Sequence, residues 1–352
     1  MVVEPSPSCH SLHSPRSARV TVAPLEIAPA LRALIAGQDE AIDAIAPYVD
    51  LYESGLAPAG RPAGVFLLLG PTGTGKTRTV EALAAALHGS DRQLLRIDCG
   101  EYQLDHETAK LIGAPPGYLG HRETQPVLSQ QKLNAVTSDR SALSLVLFDE
   151  IEKAAPSFMR ILLGVLDRAV LRLGDGAGVS FENSLIFLTS NLGARGMLKE
   201  LGGGFGLAAA ADCGVHDWRR RLHGIATHAA QRRFAPEFLN RIDEVVTYQP
   251  LEAAAIERIL DLQLDAIRQH IRARRGSSSF DFALTSRARR LLVEEGASRE
   301  YGARELKRVI HRRLLQPLAK RLLSRQLDGT ALIGVDLAPD GELEFSAMLE
   351  AA

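Results

Sequence analysis

The stretch GPTGTGKT at residues 70–77 combines glycines, a lysine and a hydroxyl side chain at a spacing that suits phosphate binding. It matches the pattern G-x-x-x-x-G-K-[ST] and lies between the apolar run VFLLL and the helical pattern TRTVEALAAALHG, the context that this motif requires. The glycines allow backbone N–H groups to close around phosphate oxygens, and the N-terminus of the following helix favours an anion. The residues expected to bind the phosphates of ATP are Gly70, Pro71, Thr72, Gly73, Thr74, Gly75, Lys76 and Thr77.

Two carboxylates, Asp149 and Glu150, follow the apolar run LVLF and supply acidic groups of the kind that ATP hydrolysis uses. Lys76 is expected to reach the β and γ phosphates, and Thr77 to hold Mg²⁺. Asp149 is expected to support the Mg²⁺ by contacting the groups that bind it, or through water. Glu150 is placed to polarise the water that attacks the γ phosphate. An apolar run that ends in Asp-Glu is a weak pattern by itself, because most such pairs face solvent. The phosphate loop upstream favours the catalytic interpretation.

A polar residue, Asn191, follows a further apolar run, SLIFLTS at 184–190. A doubly wound sheet binds its ligand at the carboxyl ends of its strands, so Asn191 is expected to orient the attacking water. The alternative is an asparagine that only starts a turn. The neighbouring motifs favour the catalytic role.

These residues need a sheet that brings several strand ends together, and the apolar runs predict one. Continuous apolar runs occur at 65–69, 94–98, 143–148 and 184–190, and stretches with helical periodicity separate them. Strands without polar alternation that are spaced by helices are typical of a parallel sheet covered on both faces. We therefore predict an α/β fold with a parallel sheet at its core.

Three segments are predicted along the chain. Residues 1–24 are rich in Ser, Pro and His and are expected to be disordered. Residues 25–250 are predicted to form a large α/β nucleotide-binding domain. Residues 251–347 are predicted to form a smaller, mainly helical lid domain, because a long amphipathic helix follows Pro250 and most of the remaining sequence has helical periodicity. The strand-like runs ALIGVDL and ELEF close this second domain.

The composition favours a cytoplasmic protein. Lys and Arg number 41 and Asp and Glu 42, so the net charge gives no general electrostatic reason to expect binding to nucleic acid or to an anionic membrane. No apolar run approaches the roughly 18 residues of a membrane span, and the N-terminal stretch lacks the apolar segment of a secretory signal. The three cysteines, Cys9, Cys99 and Cys213, match no metal or disulfide spacing, which fits a reducing compartment.

Taken together, the motifs resemble those of the Clp-type AAA+ protein unfoldases, in particular the C-terminal ATPase module of ClpB, ClpA and ClpC. They occur in that family's order over roughly residues 30–330. The matching stretches are IAGQDEAIDAI, GPTGTGKT, LIGAPPGYLG, LFDEIEKA, LTSNLGA, RFAPEFLNRIDEVV and EYGARELKRVI. The resemblance implies an AAA+ P-loop NTPase fold with a Clp-type C-terminal lid, ATP and Mg²⁺ as cofactors, and assembly into a ring, expected to be a homohexamer.

The resemblance also implies roles for residues that composition and spacing do not identify. Ile35 and Ala36 correspond to the segment that packs on the adenine. Arg241 in EFLNRID corresponds to the arginine finger, which reaches the γ phosphate bound by the neighbouring subunit, and Arg304 in GAR corresponds to the sensor arginine of the small domain. A guanidinium suits both roles because it stays charged and offers fixed donors to phosphate oxygens. Either arginine taken alone is more typical of a surface ion pair.

The stretch GYLG at 117–120 resembles the family's axial pore loop, GYVG. Tyr118 and Leu119 are therefore expected to grip an extended polypeptide by stacking and apolar contact, the alternative being a tyrosine that packs within its own loop. The stretch LGDGAGVSF at 173–181 is a second candidate pore segment, and its Gly and Asp content predicts a mobile loop.

Two further features concern partners. FGL, at Phe205–Leu207, loosely resembles the tripeptide by which ClpA and ClpC dock on the peptidase ClpP, and a plain flexible loop is the alternative. The sequence carries no N-terminal substrate domain, first ATPase module or coiled-coil middle domain of the kind found in the larger family members. We therefore expect a single-module motor whose substrates are selected by an adaptor or by the pore itself.

Two functions are consistent with these residues. The first is a Mg-ATPase whose ring threads and unfolds proteins, with unfolded or tagged polypeptides as its substrates. The full set of catalytic residues favours this function. The alternative is a nucleotide-gated remodeller or switch that acts on one dedicated partner without threading. Action on nucleic acid is disfavoured, because the basic clusters at 219–221, 272–275 and 311–313 have acidic neighbours and no aromatic stacking partners.

Overall fold

A computed structural model describes residues 26–113, 126–202, 215–275, 280–298, 302–324 and 331–348 of the chain. The predictions for residues 1–24, for Tyr118 and Leu119, and for Phe205–Leu207 concern parts of the chain outside these ranges. None of the helices within the described ranges has the length and apolar character that crossing a lipid bilayer requires.

The described residues form ten strands and thirteen α-helices. The strands are β1 (Gly64–Leu69), β2 (Leu95–Asp98), β3 (Ser144–Asp149), β4 (Val170–Arg172), β5 (Gly178–Ser180), β6 (Ser184–Ser190), β7 (Glu244–Thr247), β8 (Asp281–Leu284), β9 (Leu332–Leu337) and β10 (Leu343–Met348). The helices are α1 (Ile27–Leu34), α2 (Asp39–Glu53), α3 (Lys76–His88), α4 (Ala109–Ile112), α5 (Gln130–Ala135), α6 (Pro156–Arg168), α7 (Ala194–Gly202), α8 (Val215–Arg233), α9 (Pro236–Leu239), α10 (Ala253–Arg275), α11 (Ser286–Gly296), α12 (Ala303–Val309) and α13 (Gln316–Leu323). Short 3-10 turns span Cys99–Glu101, Asp105–Thr108 and Ile151–Lys153, and a π-helical turn spans Ile310–Leu315.

The central sheet has five strands in the order β2-β3-β6-β1-β7, and all four neighbouring pairs are parallel. Side chains of β1 alternate between the two faces: Val65 and Leu67 join a core cluster with α6 and α8, whereas Phe66 and Leu68 join a cluster with α1, α2 and α3. The three central strands, β1, β3 and β6, are buried on both faces, whereas the edge strands β2 and β7 carry exposed polar residues. The predicted α/β fold with a parallel sheet at its core is confirmed.

Two helix ends next to the sheet carry the residue types that are preferred at such positions. Helix α3 begins after Gly75 and ends at Gly89, whose φ of +83° is the left-handed conformation typical of a helix C-terminus. Helix α6 begins with Pro156, a residue that suits the first helical position because its missing N–H has no partner there. The end of α6 is unusual, because Ala169 adopts a φ of +51° without being glycine.

A second group of elements, from α10 to β10, is called the lid here. Its three-stranded sheet has the order β10-β9-β8, with β9 antiparallel to β10 and parallel to β8. The runs ALIGVDL and ELEF therefore form strands, as expected. The lid has its own hydrophobic core, in which Leu260 and Leu264 of α10 pack with Phe282, Leu306 and Ile333.

The segment at 173–181, for which a mobile loop was expected, contains the turn and the second strand of a hairpin. Strand β4 pairs with β5 in antiparallel fashion, and the Leu173 N–H donates to the Ala177 carbonyl at 2.9 Å. Residues 173–177 form the turn, whereas Val179 and Phe181 are buried and anchor the returning strand in the core. At the tip, the Gly174 N–H donates to the Ile112 carbonyl at 2.9 Å, which attaches the hairpin to the end of α4.

Substitution of Phe66 tests how much the core on the α3 side of the sheet contributes to stability. Its ring stacks on Phe187 with centroids 5.0 Å apart, and the ring of Tyr48 meets it edge-on at 4.9 Å. We expect Phe66→Ala to lower the free energy of unfolding by about 3–5 kcal/mol, because it leaves a cavity. Urea unfolding monitored by fluorescence of Trp218, the only tryptophan of the chain, measures this change near the sheet.

The matched control is Leu56→Ala, since the Leu56 residue is 72% exposed. This variant is expected to change the free energy of unfolding by no more than about 0.5 kcal/mol. Equal effects of the two substitutions would contradict the importance of the Phe66 stack.

Candidate active site

The strand order brings three predicted site segments to one edge of the sheet. Strand β6 lies between β1 and β3, with Leu69 opposite Ser190 and Phe148 opposite Leu188. The next residues along these strands are the start of the phosphate loop, Asn191 and the Asp149–Glu150 pair. Their convergence follows from parallel strands that end in register.

The phosphate loop starts where the backbone tolerates no side chain. Gly70 has a φ of +146°, and a Cβ at this position would lie 2.5 Å from the carbonyl oxygen of Tyr248. Inside the loop, the Thr74 hydroxyl donates to the Pro71 carbonyl at 2.9 Å. The loop is therefore a closed turn that leads directly into α3.

Lys76 lies at the base of this loop and is 8% exposed. Its Nζ donates to the carbonyl oxygens of Gly70 and Pro71, at 2.7 and 2.9 Å, and to Asn191 Oδ1 at 3.0 Å. These acceptors are all neutral oxygens, and burial lowers the pKa of Lys76 to about 8 against the opposing effect of nearby carboxylates. A buried ammonium bound only by neutral acceptors in the described contacts is suited to an anionic ligand.

The two acidic residues are organised by one hydroxyl, that of Thr189. This hydroxyl donates to Asp149 Oδ1 and accepts the N–H of Glu150 at 3.0 Å. The other Asp149 oxygen, Oδ2, lies 2.5 Å from Arg96 Nη2. Both oxygens of Asp149 therefore have partners on neighbouring strands, which fixes the direction of the carboxylate.

Glu150 adopts a left-handed backbone conformation, with φ 56° and ψ 49°. Strained conformations of non-glycine residues are common where a side chain is aimed into a site. Glu150 Oε1 accepts from Asn191 Nδ2 at 3.4 Å, and Oε2 lies 2.5 Å from Lys153 Nζ. Asn191 thus contacts both Lys76 and Glu150, and the three side chains form a continuous polar network.

Glu152 belongs to the same network, although its role was not predicted. Its Oε1 accepts the Asn191 N–H at 3.1 Å, and its carbonyl oxygen accepts from Arg233 Nη2 at 2.7 Å. Its other carboxylate oxygen, Oε2, is buried without a hydrogen-bond partner among the described residues. Among the charges that raise the pKa of Lys76, that of Glu152 has the largest effect. The signal in the sequence was a third carboxylate in the motif LFDEIEKA, two residues after Glu150.

The lid touches the phosphate loop directly. The Ala303 N–H donates to the Gly73 carbonyl at 3.0 Å. Gly302 has a φ of +52°, and a Cβ here would lie 2.6 Å from the same carbonyl oxygen. Arg304 is the next residue, so the Ala303 contact brings its backbone close to the loop, and its charge contributes to the lowered pKa of Lys76. The need for glycine at 302 was also not foreseen, although it lies in the motif EYGAR.

The segment expected to pack on the adenine lies between α1 and α2. Ile35 and Ala36 are both buried there. The adjacent Gln38, which was not singled out from the sequence, donates from Nε2 to the carbonyl oxygens of Thr74 and Gln249, both at 3.0 Å. Gln38 therefore fixes this segment to the phosphate loop, and an adenine contact of Ile35 and Ala36 stays a prediction.

Arg241 lies apart from this network. It follows α9, and its Nη1 is 2.9 Å from Asp167 Oδ1 at the end of α6. No described contact joins Arg241 to the side chains around Lys76. The structure thus brings together Lys76, Asp149, Glu150, Asn191 and Arg304, and leaves Arg241 in a separate surface cleft.

A parallel sheet, a glycine loop with a buried lysine, and acidic and amide side chains at adjacent strand ends define a P-loop nucleotide-binding domain. Residues 61–245 match the family model described as AAA domain (Cdc48 subfamily). The chain therefore belongs to this AAA family. Residues 251–334 match the model described as the C-terminal, D2-small domain of ClpB protein. The prediction of an AAA+ fold with a ClpB-like second domain is confirmed.

Curated relatives with the name chaperone protein ClpB are similar over most of the chain. The protein of Meiothermus ruber is 39% identical over 323 residues, which is 92% of this chain and 35% of the relative. The protein of Bdellovibrio bacteriovorus is 38% identical over 300 residues, covering 85% of this chain and 32% of the relative. The chain thus spans about a third of the length of these relatives.

Solved structures of Hsp104 show the same fold. One, a closed-state reconstruction of Hsp104 with ATPγS and FITC casein, superposes with a TM-score of 0.76 at 29% identity, over 91% of this chain and 51% of that chain. Another, the S. cerevisiae Hsp104–casein complex in an extended conformation, gives a TM-score of 0.77 at 28% identity, over 93% and 53%. The similarity therefore includes both the sheet and the lid.

Substitution of Gly302 tests the contact between the lid and the loop. We expect Gly302→Ala to weaken nucleotide binding by about tenfold, because a left-handed alanine that also meets the Gly73 carbonyl displaces the lid. Titration of a fluorescent ATP analogue measures the Kd. The matched control is Gly341→Ala, because Gly341 has a φ of +82° but no atom within 4 Å of its would-be Cβ. If the two variants lose affinity equally, backbone strain alone explains the loss, and the contact of Gly302 with Gly73 has no separate effect.

The lowered pKa of Lys76 predicts a pH dependence of nucleotide binding. Phosphate oxygens stabilise the protonated amine, so binding raises a pKa that is about 8 in the free protein. Below that pH Lys76 is protonated in both states, whereas above it binding must take up a proton. We therefore expect the association constant to fall by about tenfold per pH unit above pH 8, and proton uptake to approach one by about pH 9.5.

Calorimetric titrations in two buffers with different ionisation enthalpies measure this proton uptake. Lys76→Arg is the control, since a guanidinium stays protonated throughout this range. Affinity of the wild-type protein that is constant from pH 7 to pH 9.5 would contradict the assignment.

Proposed function

We propose that this chain is an ATPase of protein quality control. It binds ATP with Mg²⁺, hydrolyses ATP within a homohexameric ring, and uses hydrolysis to thread polypeptide through an axial pore as an unfoldase or remodelling chaperone. The observation that carries the proposal is the network of Lys76, Asn191 and Glu150, closed from the lid side by the contact of Ala303 with Gly73.

The similar proteins support this function. The curated relatives are named as ClpB chaperones, both Hsp104 structures are complexes with casein, a polypeptide, and the closed-state one also contains ATPγS. These proteins are longer than this chain, so their activity is transferred here as a proposal. The shared fold covers the parts that the proposed activity needs, namely the nucleotide site and the lid.

The residues present fit ATP and Mg²⁺. Bound ATP supplies the phosphoanhydride bond that is broken, and Mg²⁺ offsets part of the phosphate charge. Lys76 and the N-terminal N–H groups of α3 supply positive charge for the phosphates. The Thr77 hydroxyl and the Asp149 carboxylate are oxygen donors of the kind that Mg²⁺ prefers. Arg96 and Thr189 hold Asp149 in a fixed direction for that role.

Glu150 is proposed to accept the proton of the attacking water. Its Oε1 contacts the Asn191 amide, while Oε2 is paired with Lys153. Asn191 is proposed to hold the water in line, because its amide lies between the lysine at the phosphates and the base. Glu152 keeps Asn191 in place by accepting its backbone N–H.

Arg241 and Arg304 are proposed to complete the site. Arg304 acts from the lid of the same subunit, and Arg241 acts from the neighbouring subunit, as the resemblance to the Clp-type unfoldases implies. Tyr118 and Leu119 are proposed to grip the polypeptide. An adaptor, and a ClpP-like peptidase docked through Phe205–Leu207, are proposed as additional partners, and a cytoplasmic location completes the proposal.

Unfolding of a fluorescent model protein at saturating ATP tests this function. We expect the wild-type protein to unfold it, Tyr118→Ala to lose unfolding by at least about tenfold while keeping its ATPase, and Glu150→Gln to lose both activities. Tyr118→Phe is the matched control, because the ring that provides stacking is retained. Glu252→Gln changes the same functional group as Glu150→Gln at an exposed position at the start of the lid, and it is expected to leave both activities unchanged.

The outcomes separate the two functions considered from the sequence. Unfolding by Tyr118→Ala at the wild-type rate would contradict threading by this loop. ATP hydrolysis without unfolding by the wild-type protein, with or without candidate adaptors, would favour a remodeller of one dedicated partner. Absence of ATP hydrolysis at every protein concentration would contradict the proposal as a whole.

A further inference from the structure

Arg241 lines a surface cleft of about 610 Å³ between the end of α6, strand β4 and α9. The charged residues that line the cleft are Asp167, Arg168, Arg172, Glu237 and Arg241. Three arginines and two acids leave a net positive charge, which suits a cleft that meets an anion.

The backbone around Arg241 is fixed. The Arg241 N–H donates to the Phe238 carbonyl at 3.1 Å, and Phe238 is buried beside Phe234 with ring centroids 5.2 Å apart. Two residues later, the Asp243 carboxylate accepts the Val65 N–H at 2.8 Å, which joins this segment to the central sheet. The side chain of Arg241 therefore starts from a rigid point.

The side chain itself has one described anchor. Arg241 is 46% exposed, and its Nη1 lies 2.9 Å from Asp167 Oδ1. A guanidinium carries five N–H donors in a fixed fork. Because the described contact uses one nitrogen, the remaining donors are left for a second anion. Asp167 thus sets the direction of Arg241 without using up its capacity to bind phosphate.

Asp167 is itself on a rigid support. It lies in the last turn of α6, where Val165 and Leu166 are fully buried. The helix ends with a hydrogen bond from the Ala169 N–H to the Val165 carbonyl at 2.9 Å. The carboxylate is 36% exposed and also lies 3.7 Å from Arg168, whose side chain is 84% exposed. A fixed carboxylate next to a flexible guanidinium is an arrangement that orients the guanidinium.

We propose that Asp167 is a positioning residue for Arg241: it holds the guanidinium at the rim of its cleft in the direction required to reach the nucleotide of the neighbouring subunit. This inference rests on the proposed function, in which Arg241 acts across a subunit boundary. In this role Asp167 contacts neither the nucleotide nor the attacking water. Its effect on hydrolysis passes entirely through Arg241.

The test compares ATP hydrolysis by Asp167→Asn, Asp167→Glu, Arg241→Ala and the double variant Asp167→Asn/Arg241→Ala. Rates are measured at protein concentrations where activity per subunit is constant, so that rings are complete. Asp167→Asn is expected to lower kcat by about twofold to fivefold, the range that an exposed ion pair provides, with KM unchanged, because the subunit's own site is intact. Asp167→Glu is expected to restore at least half of kcat, since the charge is retained.

The double variant gives the sharpest readout. If Asp167 acts through Arg241, adding Asp167→Asn to Arg241→Ala lowers kcat no further. The matched control is Glu237→Gln, which removes one negative charge from the same cleft without a described contact to Arg241. It is expected to leave kcat and KM unchanged, because the contact with Asp167, and not the total charge of the cleft, positions Arg241.

Several results would overturn the inference while leaving the proposed function intact. These are an unchanged kcat for Asp167→Asn when Arg241→Ala is impaired, a further loss in the double variant, an equal loss in Glu237→Gln, or loss of ring assembly by Asp167→Asn in sedimentation when Arg241→Ala rings persist. If instead Arg241→Ala hydrolyses ATP like the wild type, the proposed action of Arg241 fails, and the inference fails with it.

Discussion

The buried ammonium group of Lys76 is the interaction on which the rest of this site depends. A charge removed from water is unfavourable unless its surroundings offset the loss of hydration. Two loop carbonyls and the Asn191 amide do so here at hydrogen-bond distance, and Glu152 and Asp149 do so at longer range. The loop, the Asn191 amide and the acidic strand end are thereby held around one charge.

The order of the strands explains how a single hydroxyl organises the acidic residues. Strand β6 separates the strand that leads into the phosphate loop from the strand that carries Asp149. Its last residues, Thr189 and Ser190, therefore face both neighbours. Thr189 donates to Asp149 and accepts the N–H of Glu150, so these two acidic residues have fixed positions relative to each other.

Motifs that are continuous in the sequence were predicted well, and contacts between distant segments were not. The phosphate loop, Asp149, Glu150 and Asn191 follow buried apolar strands, and such strands predict both the fold and the place where they end. Gln38 meets Gln249 across 211 positions, and Gly302 meets Gly73 from a different domain. No local pattern encodes those pairs. Within the stretch 173–181, strand β5 was missed because the glycines predict a loop throughout, while two buried side chains, Val179 and Phe181, hold the second half in the core.

The same hairpin has a mechanical consequence. Its first strand, β4, lines the cleft of Arg241 through Val170 and Arg172, and the turn that follows is bonded through Gly174 to Ile112, just before the stretch GAPPGYLG. Because β4 is paired with β5 and the turn is bonded to Ile112, a displacement of β4 is coupled through backbone hydrogen bonds to the end of α4. The structure thus couples the cleft of Arg241 to the end of α4 through a path of backbone hydrogen bonds that has no described contact with the network around Lys76.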